Sequence, residues 1–194
     1  MPLPQPVERE ELHLRRIEMR AFKRGDGLLD IEGRVVDTKS HDVVRPLQTE
    51  ATPAGEHLHD LSVRLVIDDR LMVHDAQASS DTTPFAVCKE ASATLTGLRG
   101  ATIGPGWSRV VKERLGGAAS CTHLAELLIP MATTAMQALS PVLRSRPPKL
   151  NGQGVPVKVN SCYAYAGHRG VVQVLFPQHY QAMPGSGASC DHVL

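Results

Sequence analysis

Residues 61–79 read Leu61-Ser62-Val63-Arg64-Leu65-Val66-Ile67-Asp68-Asp69-Arg70-Leu71-Met72-Val73-His74-Asp75-Ala76-Gln77-Ala78-Ser79, and this stretch decides the fold class. Leu61, Val63, Leu65 and Ile67 recur at every second position, the period of a strand with one buried face. Asp68-Asp69-Arg70 is a tight polar turn, and Leu71 to Ser79 returns as the partner strand. The predicted unit is an antiparallel hairpin that packs its Leu61/Val63/Leu65/Ile67 face against helices.

The residues upstream repeat the pattern. From Glu8 to Phe22 the apolar positions alternate, first Leu12 and Leu14, then Ile17, Met19 and Ala21. The change of parity at Arg15-Arg16 suggests a β-bulge. Gly25-Asp26-Gly27 marks a turn, and Leu28 to Lys39 follows as a second strand. Residues 40–56 hold Pro46, Pro53 and Gly55 with little periodicity and read as a loop.

Downstream the period changes. After Pro84, the residues Cys88, Ala91, Leu95 and Leu98 can share one helical face. Gly100 to Gly106 interrupts, and Trp107 to Leu115 reads as a short helix closed by Gly116-Gly117. A long helix is expected from about Thr122 to Leu143, with Leu124, Leu127, Leu128, Met131 and Ala135 as its buried stripe and a bend at Pro130. Residues 145–154 resemble a linker, and Val155 to Tyr165 with Val171 to Phe176 reads as a last hairpin. These elements predict a flexible arm over 1–7, a single domain over 8–180 and a loose tail over 181–194. The fold class is α+β: an antiparallel sheet of hairpins with three helices packed on one side.

Composition narrows the function. The 194 residues carry a formal net charge of +1, and the basic residues near the start are interleaved with Glu8, Glu10, Glu11 and Glu18. This is the pattern of a solvated strand face and not of a nucleic-acid footprint. Aromatics make up 4%, too few for a base-stacking platform. No apolar run reaches the roughly 20 residues of a membrane span, and the start lacks a secretory pattern, so a cytoplasmic protein is expected. The four cysteines, 88, 121, 162 and 190, are widely spaced, which favours ligands, nucleophiles or core thiols over disulfides.

The sharpest chemical signal is Gly116-Gly117-Ala118-Ala119-Ser120-Cys121-Thr122-His123. A glycine turn delivers Cys121 to a helix start, where free backbone N–H groups favour a thiolate, and His123 stands two residues on. Such a pair can ligate a metal or act as nucleophile and base, although Ser120 or Thr122 acting as a simple cap also satisfies the pattern. Cys88 in an early helical turn, and His57, His59 and Asp60 before the strand at Leu61, are further candidates. Asp30 and Glu32 share a strand face and read either as an acid–base pair or as exposed charges. A hydroxyl at Tyr163 can orient or protonate a substrate.

Together, Arg24-Gly25-Asp26-Gly27-Leu28-Leu29-Asp30-Ile31-Glu32-Gly33, Asp37-Thr38-Lys39, His59-Asp60, Cys88, Cys121-Thr122-His123-Leu124 and Cys162 resemble a bacterial family catalogued as domain of unknown function 2889, over about residues 10–180. The chain departs from the family pattern at Gly25, Leu29 and Ser120. That resemblance implies small-molecule metabolism, since such proteins often accompany the catabolism of aromatic or steroid-like compounds. The run from His59 to Gly97 is also similar to iron–sulfur scaffolds of the NifU-like class, which implies a NifU/SufE-like core. Carried over, the ligand positions fall on His59, Cys88, Cys121 and His123. Histidine stands for the first cysteine, and two cysteines with two histidines suit zinc, or a mononuclear iron, better than a cluster.

The expectation is a metal-dependent lyase or hydrolase acting on a small aromatic or alicyclic compound. Its metal is a divalent ion, zinc before iron, and Asp37 or Tyr163 serves as acid or base. The partners expected are a small-molecule substrate and a second copy of the chain in a homodimer, with no nucleic acid and no membrane. The alternatives are a non-enzymatic iron–sulfur or sulfur-handling scaffold, and a metal-free Cys/His enzyme.

Overall fold

The structure is a computed structural model that describes residues 3–182. Its contacts divide the chain into two units, Met1–Ser140 and Pro141–Leu194, so the boundary falls inside the span read as one domain. The first unit holds a four-stranded antiparallel sheet in the order β1-β2-β5-β6. Here β1 is His13–Lys23, β2 Leu29–Lys39, β5 His57–Ile67 and β6 Val73–Thr82. The 40–56 loop contains a two-residue ladder, β3 (Val43–Val44) with β4 (Ala51–Thr52).

Pairing register explains which residues face inward. Ile31 lies opposite Leu65, Gly33 opposite Val63 and Val35 opposite Leu61, and these residues form a buried row under the helices. The predicted hairpin face is therefore the core face, with Leu61, Val63, Leu65 and Ile67 all buried. At Gly33 an added Cβ would stand 3.0 Å from Met131 Cγ and Sδ and from Met19 Sδ. Glycine there lets the helix layer approach the sheet closely.

Two local expectations are corrected. Strand β1 pairs with β2 without a break from His13 to Lys23, so no bulge interrupts it. The parity change arises because Arg15, opposite Asp37, shares the helix-facing side of the sheet with Ile17 and Met19, while Leu14 lies on the other face. The register shifts lie elsewhere, between Asp37 and Thr38 where β2 meets β5, and at two points between β5 and β6. Leu71 does not open the return strand either. It occupies the left-handed region (φ 68°) of a turn in which the Asp68 carboxylate accepts from the N–H groups of Arg70 and Met72, and its buried side chain helps hold it there.

The helical layer follows on the inner face. Residues Ala86–Leu98 form a 3-10 helix, not the α-helix suggested by the spacing. Ser92, Leu95 and Leu98 repeat at three residues and turn inward, and the hydroxyls of Thr94 and Thr96 bond the carbonyls of Ala91 and Ala93 three residues back. Helix α1, Trp107–Leu115, ends as expected at Gly116. Helix α2 is Thr122–Ala138, five residues shorter than expected, and continues through Pro130. Its predicted stripe is buried throughout and lies against β1, β2 and β5. Each fully buried leucine contributes about 1.5–3 kcal/mol of transfer free energy, so this stripe anchors the helix start over the sheet. Trp107 ties α1 to α2 by donating its indole N–H to the Leu128 carbonyl at 2.8 Å.

In the second unit the expected closing hairpin is absent among the described residues. Residues 155–165 form turns, with Pro156 in an isolated bridge and Asn160 at φ 62°, and neither residue suits a continuous ladder. Residues 170–175 form α4 (Gly170–Leu175), which buries Val172; α3 (Ser140–Ser145) starts at the boundary. A short run of valines beside glycines fits strand and helix equally by composition. Residues 3–7 are exposed and irregular, and of the tail read over 181–194, residues 183–194 lie outside the described residues. No helix of the described residues is long and apolar enough to cross a membrane.

Candidate metal centre

The site lies where β1 begins, β2 ends, β5 begins and α2 begins. Asp37 is its centre, a carboxylate only 1% exposed. Arg15, directly opposite it on β1, donates Nε to Oδ1 at 2.8 Å and Nη2 to Oδ2 at 2.9 Å, a bidentate pair. His59, opposite it on β5, places Nδ1 3.0 Å from Oδ2, and His13 Nε2 lies 3.2 Å from Oδ1. Arg15 also reaches Glu126 on α2 at 3.2 Å. The strand entrance expected before Leu61 is thus part of β5 itself, because pairing with β2 continues past Leu58. The register shift just beyond His59 sends His57 outward, where it meets Asp60 at 3.2 Å, while His59 keeps the inward parity of Leu61 and Val63.

Helix α2 closes the site from above. Cys121 is its N-cap residue, with no side-chain cap bond, and His123 occupies the first turn. The His123 ring lies 4.0 Å, centroid to centroid, from that of His59, and its Nδ1 is 3.8 Å from the Cys121 sulfur. One donor atom from each of Asp37, His59 and His123 lies within 4.8 Å of the others. Donors around one tetrahedral zinc stand about 3.3 Å apart, so this spacing is near that of a shared ligand set.

The electrostatics set the protonation states of the site. Burial pushes the Asp37 carboxyl up, but the hydrogen bonds and charge of Arg15, with His59 and His13, outweigh it and hold the group below its ordinary value. Asp37 is therefore ionised at neutral pH. Burial, with the neighbouring His123, pushes the His59 imidazole below its usual 6.5, so it is neutral. With Nδ1–H donated to Asp37, its lone pair resides on Nε2. That atom is buried and has no hydrogen-bond partner.

Of the residues singled out from sequence, the structure brings Asp37, His59 and His123 into one cluster, with Cys121 beside His123. Cys88 is half-buried in the first turn of the 3-10 helix and is not part of that cluster. Tyr163, 78% exposed in the second unit, carries the guanidinium of Arg169 over its ring at 4.1 Å, and its hydroxyl accepts from the same side chain. Cys162 is exposed, and Cys190 lies outside the described residues. Asp30 and Glu32 are engaged by Arg24 and Arg64. Sequence reasoning missed Arg15, His13 and Glu126. The one available signal was the interrupted alternation at Arg15.

Residues 13–137, more than half of the chain, match the family described as protein of unknown function (DUF2889). The chain belongs to the DUF2889 family. The match covers β1 through nearly all of α2 and so includes every residue of the site. No curated protein and no solved structure matched the chain.

Proposed function

We propose that this DUF2889 protein is a metal-dependent enzyme of lyase or hydrolase type, with a divalent ion held by His59, His123 and either Asp37 or the Cys121 thiolate. The observation that carries this reading is the orphaned Nε2 of His59. A neutral imidazole donates one N–H to a buried carboxylate and keeps a bare lone pair on its other nitrogen, with the ring of a second histidine 4.0 Å away. That is the arrangement in which a carboxylate fixes the tautomer of a metal ligand. Asp37, held ionised by Arg15, serves as orienting group or ligand and not as a proton donor.

Zinc fits this donor set best, since imidazole, carboxylate and a single thiolate are its ordinary ligands. Iron is the second choice. When bound, the ion polarises a carbonyl or hydroxyl oxygen of a small substrate, the aromatic or alicyclic class implied by the family. The donor set also supports an enzyme over an iron–sulfur scaffold, since clusters require several thiolates and this site offers one.

The test is metal analysis of the purified protein by mass spectrometry, followed by cobalt substitution. One zinc per chain, lost in His59→Ala and His123→Ala, is expected, together with the visible absorption of tetrahedral cobalt. Protein that binds neither zinc nor cobalt would overturn the metal reading and favour direct Cys121/His123 chemistry. Visible charge-transfer bands in the anaerobically purified protein would favour the scaffold.

A further inference from the structure

Strand β1 is an edge of the sheet, and its outer hydrogen-bonding side meets no other strand among the described residues. It is eleven residues long and unbroken, and Ile17 at its middle is 52% exposed. Phe22 near its end and Leu12 just before it are exposed as well. A long regular edge of this kind is a template for another strand. Proteins usually protect such edges with charge, and Arg16, Glu18, Arg20 and Lys23 would serve that purpose if their order were arbitrary. Their order is not arbitrary.

We infer that β1 pairs antiparallel with β1 of a second copy of this chain, about a twofold axis through Ile17, giving a continuous eight-stranded sheet. The sheet order of one chain, doubled at its β1 edge, supplies the eight strands. Directly opposed residues must share a sheet face, so a twofold perpendicular to the sheet has to place some residue opposite its own copy. Centred on Ile17, the register sets Arg16 opposite Glu18 twice, once on each side of the axis. It also sets Leu12 opposite Phe22 and Glu11 opposite Lys23, so every opposed pair of charges is complementary.

Neighbouring registers fail by the same criterion. An axis through Arg16 sets two arginines against each other. An axis through Glu18 opposes two glutamates and also sets Arg16 against Arg20. An axis through Met19 sets Arg15 against Lys23. Like charges directly opposite are destabilising, whereas opposite charges and apolar pairs are the units of sheet stabilisation. Arg16 makes no ion pair among the described residues and is free to serve. Glu18 pairs with Arg20 on its own strand and can be shared across the axis. Both point to the outer face, away from Asp37 and the helices.

The test is light scattering coupled to size-exclusion chromatography. The full chain is expected at about 42 kDa, twice 21.0 kDa. Because the axis doubles each contact, Arg16→Glu or Glu18→Arg should each weaken dimerisation by roughly tenfold or more. The swap Arg16→Glu/Glu18→Arg should restore the dimer, since it recreates the complementary pair in reverse. Circular dichroism checks that the variants retain the fold. A monomeric parent chain, a dimer indifferent to both single substitutions, or a swap that stays monomeric would each overturn the inference.

Discussion

Arg15→Met tests the electrostatic design of the site most directly. Methionine keeps the length of the side chain and removes its charge, leaving the Asp37 carboxylate buried with His59 and His13 as its remaining partners. Breaking a fully buried ion pair typically costs about 3–5 kcal/mol. The Arg15 side chain is 35% exposed, so part of the pair is already screened. A nearby imidazole can also take up a proton and stand in for the guanidinium. The expected loss is therefore about 1–3 kcal/mol at neutral pH.

The pH dependence gives the sharper signature. In the parent chain Asp37 titrates below its unfolded value of 3.8, so its contribution is present above that pH and is lost as pH falls through the lower, folded value. His59 is likewise depressed from 6.5, so its contribution is complete above that pH and declines as pH falls through the folded value. Without Arg15 the Asp37 value rises, because burial, its largest influence, acts against less opposition. The His59 value rises too, because Arg15 is one of the charges that depress it. The deficit of the variant should thus be largest at about pH 7.5 and shrink towards about pH 4. Urea unfolding of metal-stripped protein at several pH values measures it. A deficit below about 0.5 kcal/mol at neutral pH, or one independent of pH, would refute the assignment of Arg15 as the charge that holds Asp37 ionised.

Further outcomes are expected from the scaffold. Leu128→Ala, at a fully buried position of α2, should cost about 2–5 kcal/mol in denaturant melts, and a loss under about 1 would show that the helix does not anchor the layer. Gly116→Ala should destabilise by about 1–3 kcal/mol, because its Cβ would stand 2.3 Å from the Lys112 carbonyl oxygen that accepts the capping Gly116 N–H. Unchanged thermal stability in that variant would refute the close approach. Because an imidazole must be neutral to bind a metal and burial holds that of His59 below its ordinary value, apparent zinc affinity should fall as pH drops through that depressed value, read by competition with a chromophoric chelator. Affinity that stays flat down to the pH at which the protein itself unfolds would exclude His59 as a ligand.

How much of this was legible in advance depends on how local the causes are. Period-two alternation from Leu61 to Ile67 and the leucine stripe of α2 fix their elements because burial acts on each residue through its own spacing, and both faces are buried as read. The glycine stop after Leu115 is equally local. Residues 155–176 failed because valines beside one proline and two glycines satisfy more than one backbone conformation, and only packing selects among them. The site divides the same way. Cys121 and His123 were visible from a glycine turn before a helix, and His59 from its place at the start of β5.

What sequence alone could not supply was their assembly. Asp37 owes its role to the pairing of β2 with β1 on one side and β5 on the other, which sets Arg15 and His59 on either side of one buried carboxylate. Those three residues are 22 positions apart at each step, and no local rule relates them. The same holds for Cys88, whose place in a helical turn was legible while its absence from the cluster was not. The sequence by itself determined the elements, their buried faces and the stock of donor groups. Strand register and the docking of α2 decided which donors meet, because a ligand set depends on distances between segments remote along the chain, and those are fixed only when the core packs.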